Sequence, residues 1–284
     1  MIINHNMMAD NAHRFMGVNS SGMGKNVEKL SSGMKINRAA DDAAGLFISE
    51  KMRSQVRGLN QASQNSLDGI SAVQTAEGAL DEVHAMLQRM RELAVKAGNT
   101  TLQSSDVQAI QDEISQLTSE IDQVAKTTQF NKTTLLNGDF KNKMLQVGAN
   151  AGQTLALSIS AMTAKGLGLE GKSITVGAGD AKKITAADNT AATNVLKAVD
   201  KAIASVSTQR SSLGAIQNRL EHKIRNLDNA AENTQTAESR IRDTDMAKTM
   251  SKFTKDNILT QASQAMLAQA NQLPQQVLQL LRYF

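Results

Sequence analysis

The 284-residue sequence has no cysteine, no tryptophan, one tyrosine and one proline, Pro274. Without cysteine there is no disulfide framework, no thiolate nucleophile and no thiolate metal ligand. Average usage would give about 14 prolines, so the chain is free to run in long helices with almost nothing to interrupt them. Aromatics at 2% supply little bulky material for a globular core. Charge of one sign is also lacking: 31 basic residues face 27 acidic ones, net +4, with no run of five Lys or Arg. That spread argues against a nucleic-acid stripe. No window approaches 18 consecutive apolar residues, so no membrane-spanning helix is expected. The opening, MIINHNMMADNAHRF, lacks both the basic region and the apolar run of a Sec signal peptide.

What the sequence does have is helical periodicity. Val107, Ile110, Ile114, Leu117, Ile121 and Val124 alternate in steps of three and four, the pattern of a coiled-coil stripe facing a partner helix. The same alternation runs from Leu196 to Ile241 through Val199, Val206, Leu213, Leu220 and Leu227, with Arg210, Gln217, Thr234 and Glu238 as polar exceptions. A third stripe, within 46–97, includes Leu59, Val73, Leu80, Val83, Leu87, Met90 and Leu93. At 1.5 Å per residue that segment would span ~78 Å, too long for a compact domain of this size. A mainly α fold is predicted, a long antiparallel coiled-coil-like rod.

Between Thr127 and Asp188 the chain turns rich in Gly, Thr and Asn, with Asn137-Gly138, Gly148 and Gly152 as turn residues. Short strands are predicted over 143–147, 154–159 and 173–176, a small β-hairpin region in the middle of the chain. Helices over about 4–30 and 246–272 complete the pattern, bringing the termini to one end of the rod. These end helices carry apolar stripes but have only each other to pack on. That is too little to offset roughly 1–2 kcal/mol of backbone entropy per residue, so they are expected to order on assembly.

Catalytic chemistry finds little support. Gly166 to Ser173 fits G-x-x-x-x-G-K-[ST], and Gly166, Gly168 and Gly171 fit G-x-G-x-x-G. A phosphate cradle needs a strand before the loop and a helix after it, whereas Ile174-Thr175-Val176 reads as strand. His5, His13, His84 and His222 have no metal-ligand spacing. Asp41 and Asp42 are adjacent and point to different faces, which suits a solvated loop better than an acid–base pair. No enzyme, cofactor or metal is predicted, and the chain reads as structural.

The stretch 29–99, opening KLSSGMKINRAADDAAGLFISEKMRSQVRGLNQ and ending LQRMRELAVKAGN, resembles the N-terminal signature of bacterial flagellin. The resemblance continues through AIQDEISQLTSEIDQVAKTTQFNKTTLLNG and returns in RSSLGAIQNRLEHKIRNLDNAAENTQTAESRIRDTD and QASQAMLAQANQLPQQVLQLLR. Departures are a Met- and His-rich opening, the Tyr283-Phe284 tail and the lack of a long variable insert. A coiled-coil adhesin or scaffold and a hook–filament junction protein compete, but the LQRMRELAVKAGN run favours flagellin.

The resemblance implies a short flagellin of two filament-core domains. Residues 1–45 would be the N-terminal D0 helix and linker, 46–127 the N-terminal D1 helices and 128–190 the β-hairpin region of D1. Residues 191–245 would be the C-terminal D1 helix and 246–284 the C-terminal D0 helix. It further implies a secreted, extracellular subunit of the flagellar filament, exported unfolded by the flagellar type III apparatus and polymerised for swimming. The implied partners are other copies of the chain, an export chaperone and export gate, filament cap and hook-associated junction proteins, and the toll-like flagellin receptor. Neither nucleic acid nor membrane insertion is implied. For the receptor, the resemblance points to the motif matching 88–95, with Arg89 and Leu93 as central contacts and Glu113 as a neighbour.

Overall fold

The structure, a computed structural model, describes residues 6–99, 101–171 and 186–282, apart from the side chains of 186–189 and 276–282. Among these residues there are five helices: α1 (Met7–Ser32), α2 (Ala43–Ala97), α3 (Ser104–Thr127), α4 (Ala186–Arg242) and α5 (Met246–Arg282). Two antiparallel hairpins lie between α3 and α4: β1 (Gln129–Phe130) with β2 (Thr133–Thr134), and β3 (Lys143–Gln146) with β4 (Thr154–Leu157). The mainly α class with small β-hairpins is as predicted. The predicted strand over 173–176, Lys172 and His5 lie outside the described residues.

The chain divides into two compact units, Arg57–Ala231 and the pair Met1–Val56 with Glu232–Phe284. In the first unit, α2, α3 and α4 bury the predicted stripes. Val107, Ile110, Ile114 and Ile121 of α3 are buried together with Val73, Leu80, Val83 and Leu87 of α2 and Val199, Val206 and Leu213 of α4. Each fully buried Leu, Ile or Val contributes about 1.5–3 kcal/mol relative to exposure, so this stripe is the main stabilising element of the unit. Cross-pairs fix the direction of packing: Arg91 bonds Asp200 at 2.8 Å, Arg210 bonds Asp81 at 2.8 Å and Ser63 bonds Asp228 at 3.0 Å. As one partner's number falls the other's rises, so α2 and α4 run antiparallel. Arg210, a polar exception in the α4 stripe, is thus anchored to an acid across the seam. Gln209, absent from the predicted stripe, is buried beside the end of β4, its Oε1 accepting from the Ser160 amide at 3.4 Å.

Two differences from expectation stand out. The β1–β2 hairpin was not predicted; its two-residue turn places Asn131 and Lys132 at φ of 48° and 62°. And α5 continues past Gln272, running through Pro274 to Arg282. A proline has no N–H to give the carbonyl four residues back, here that of Ala270, which normally weakens a helix. Asn6 supplies the missing donor: its Nδ2 reaches the Ala270 carbonyl at 2.8 Å.

In the second unit, α1 ends at Gly33, whose φ of 70° lets its amide bond the Lys29 carbonyl. Two short crossings then lie side by side. The Lys35 amide donates to the Arg242 carbonyl at 2.6 Å and the Thr244 amide to the Gly33 carbonyl at 2.9 Å. The Arg242 side chain is buried there, bonding the Glu50 carboxylate and directing Nε at the Met34 sulfur, 3.3 Å away.

Candidate functional site: two interaction surfaces

The α1–α5 pair places polar groups in its seam beside half-buried Met16, Met23, Leu30, Phe253 and Leu267. Asn6, which caps α1, and Asn19 and Asn26 within it reach Ala270, Ser263 and Asp256 of α5 at 2.8, 3.4 and 2.8 Å. Gly22 makes room for the last of these, because a Cβ there would stand 3.2 Å from Asp256 Oδ2. Most of the large apolar side chains face away from this seam. Met7, Met8, Phe15, Val18 and Val27 of α1 and Met246, Met250, Ile258, Leu259 and Met266 of α5 are exposed, and α1 buries no residue at all. A groove of about 500 Å³ runs between Met8 and Phe15 on one side and Leu259 and Met266 on the other. Of the apolar stripes read from the sequence, Leu30 and Phe253 are half-buried, while Met7, Val27, Met250, Ile258 and Met266 remain open. A contiguous exposed apolar face of this kind marks an interaction surface.

The second surface lies where α2 and α3 run side by side. Arg89 Nε bonds Glu113 Oε1 at 2.9 Å, and Arg89 Nη1 lies 3.3 Å from Glu92 Oε2. These carboxylates, Glu113 first, hold the guanidinium pKa above its ordinary value. Leu93 is buried beneath them, so it shapes the floor rather than presenting itself. Together with Lys96, Leu102 and Asp106 the three sequence-selected residues line one groove of about 480 Å³. The fold therefore brings Arg89, Leu93 and Glu113 together; the amphipathic pairing of α2 with α3 does so, and no motif spacing encodes it.

The G-x-G-x-x-G run is not shaped to hold a phosphate. Its amides are already engaged: Gly166 with Thr163 Oγ1, Leu167 with the Thr163 carbonyl, Gly168 with Lys165 and Leu169 with Ala164, all between 2.9 and 3.1 Å. Leu167 and Leu169 are buried in the core. A cradle would need those N–H groups free and pointing at the anion. Among the described residues no group of three or more His, Asp or Glu is placed to hold a metal, and no helix is long and apolar enough to cross a membrane. His84 and His222 bond their own helices, through Gln88 at 3.4 Å and Arg225 at 3.1 Å. Asp41 and Asp42 are turn residues: Asp41 Oδ2 accepts from the amides of Asn37 and Arg38 at 3.1 Å, and Asp42 Oδ1 from that of Gly45 at 2.9 Å.

Known proteins have similar sequences. Residues 3–141 match the bacterial flagellin N-terminal helical region, and residues 196–281 match the bacterial flagellin C-terminal helical region. The chain is 57% identical over 284 residues to a flagellin of Halalkalibacterium halodurans, covering 99% of this chain and 100% of that one. It is 48% identical over 292 residues to the flagellar filament 31.3 kDa core protein of Treponema maltophilum, again covering 99% and 100%. A crystal structure of Bacillus cereus flagellin is similar with a TM-score of 0.47 at 29% identity, covering 58% of this chain and 88% of that one.

Proposed function

The chain belongs to the bacterial flagellin family, whose members are structural filament subunits and not enzymes, and from that premise we propose that α1 and α5 are the surfaces through which it polymerises. One observation carries the reading. The helix pair spends its polar groups on itself and leaves Met8, Phe15, Val18, Ile258 and Met266 in water. Copies of the chain packed side by side would bury these faces at about 25 cal/mol per Å² of apolar area. Repetition along a filament multiplies that gain over every subunit.

The finer parts of the reading rest on the family. The segments 1–45 and 246–284 would form the innermost layer, and 46–127, 128–190 and 191–245 the layer outside it. Export unfolded through the flagellar type III apparatus, with an export chaperone and export gate, would place the chain outside the cell. Filament cap and hook-associated junction proteins would meet the same end helices. The Arg89 groove would be the contact for the toll-like flagellin receptor, with Arg89 and Glu113 presented at its rim and Leu93 holding the floor.

The test is seeded elongation. Purified chain added to sheared filament fragments should lengthen them, as counted by electron microscopy. Phe15→Glu places a charge on the open face and lies outside the residues of the Arg57–Ala231 unit, and should stop elongation while that unit melts unchanged. Normal elongation by Phe15→Glu would remove α1 from the assembly surface.

A further inference from the structure

We propose that Met8 and Met266 are oxidation sites at which peroxide switches off subunit addition; the inference rests on the assembly reading above. The two thioethers are 61% and 60% exposed and line the same apolar groove between α1 and α5, with Phe15 and Leu259 beside them. Met90 and Met162, by contrast, are 1% and 3% exposed inside the Arg57–Ala231 unit. An unbranched, polarisable side chain suits a surface that must mould itself to a partner, and the same sulfur is open to two-electron oxidants.

The chemistry balances simply. A lone pair on Sδ attacks one oxygen of hydrogen peroxide, the O–O bond breaks and an S–O bond forms. Sulfur gives up two electrons, and the departing hydroxide takes a proton to leave as water. The product is a sulfoxide, a strong acceptor. Its immediate surroundings are mostly apolar, Phe15, Ala262 and Leu259, with Asn11, Asn19 and Ser263 as the polar part of the lining and Asn19 already directing its amide at Ser263. In the free chain water satisfies the new oxygen. Once a second copy covers the groove that water is expelled, and desolvating so polar a group on a mostly apolar face opposes association. The occupant committed to is a second copy of this chain, because the helix pair has turned its apolar side outward in a family of self-assembling subunits. Within a filament the same cover shields the two sulfurs, so oxidation acts on subunits awaiting addition.

The experiment uses the full chain. Monomer is treated with hydrogen peroxide, quenched with catalase and mapped by peptide mass spectrometry, then offered to untreated filament fragments. Met8 and Met266 should oxidise before Met90 and Met162, and elongation should fall roughly 10–100-fold. The double variant Met8→Leu with Met266→Leu, which keeps bulk and loses these two thioethers, should keep markedly more elongation after peroxide than wild type treated alongside it, the exposed Met7, Met246 and Met250 being common to both. Reduction of oxidised wild type by methionine sulfoxide reductases should restore elongation. Unimpaired elongation by wild type carrying both sulfoxides would overturn the proposal, as would equal inhibition of the double variant. Should the double variant fail to elongate even untreated, the reductase arm decides, and no recovery there overturns the proposal. Failure of untreated wild type to elongate at all would instead count against the assembly reading.

Discussion

Asn6 donates its side-chain amide to the carbonyl of Ala270, 264 residues away, and that carbonyl is the one Pro274 leaves without a helical donor. The same side chain caps α1, its Oδ1 accepting from the Ala9 amide at 3.2 Å. One asparagine thus starts the first helix and repairs the last. Asn6→Asp keeps the cap and loses the repair, whereas Asn6→Ala loses both. Each lost bond should cost about 1 kcal/mol. Hydrogen exchange in assembled filaments should therefore show faster exchange near 271–276 in both variants, and faster exchange at 8–10 only in Asn6→Ala.

The open apolar faces of α1 and α5 also bear on order in the free chain. With only Met16, Met23, Leu30, Phe253 and Leu267 half-buried among their large apolar side chains, the two helices gain little burial from pairing, and backbone entropy opposes them at roughly 1–2 kcal/mol per residue. Limited proteolysis of monomer should trim both ends to a resistant core near 46–245. That core should stay helical but fail to elongate seeds. Filaments should protect the same sites, and protection of both ends in dilute monomer would contradict the expectation.

At the α2–α3 groove the guanidinium of Arg89 is shared between Glu113 and Glu92. The pair is well exposed, so its contribution to stability is small, and Arg89→Ala should leave the melting temperature and filament formation intact. Signalling through the toll-like flagellin receptor by monomer should nonetheless weaken, because a planar guanidinium makes paired contacts that alanine cannot. Leu93→Ala should act differently. It opens a cavity in the core at about 2–5 kcal/mol, so it should lower the melting temperature whatever its effect on signalling.

Acid should loosen the crossing between α1 and α2 at one carboxylate. The amides of Arg38 and Asn37, in that order, hold the Asp41 carboxyl below its ordinary 3.8. A depressed folded-state pKa contributes stability that is fully present above the unfolded value, and it fades as pH falls through the lower, folded one. Hydrogen exchange at Asn37 and Arg38 should therefore be steady at neutral pH and accelerate below about pH 4. In Asp41→Asn this added sensitivity should vanish.

The stripes of α2, α3 and α4 were legible because a three–four alternation has one physical meaning, a helix facing a partner. Val107, Ile114 and Ile121 fall where that alternation puts them. The β1–β2 hairpin was not legible: its strands are two residues long, and Lys132 at positive φ carries no turn signature. The reach of α5 past Gln272 was hidden from the periodicity, and only the family resemblance drew the helix to 284. Pro274 ends most helices, and the donor that rescues this one comes from the other end of the chain. Hydrophobic patterning showed that α1 and α5 have apolar stripes but not which way they face, since Asn19, Asn26 and Asp256 read as ordinary solvent-facing residues. Arg89 and Glu113 entered through family resemblance, and only the antiparallel run of α2 and α3 shows why they meet.

The antiparallel match of α2 with α4 also sets a clock on folding. Arg91 meets Asp200 across 109 residues of chain and Ser63 meets Asp228 across 165, so the principal contacts of the core are non-local. A ribosome adding about 5–20 residues per second takes on the order of 10 s to pass from the end of α2 to the end of α4. Throughout that interval Val73, Leu80 and Val83 lack the cover that Val199, Val206 and Leu213 of α4 supply. Loop closure over such lengths must come before the contacts that reward it, which slows the search. The nascent chain accordingly stays open until its C-terminal half arrives, and α4 is the segment that closes the core.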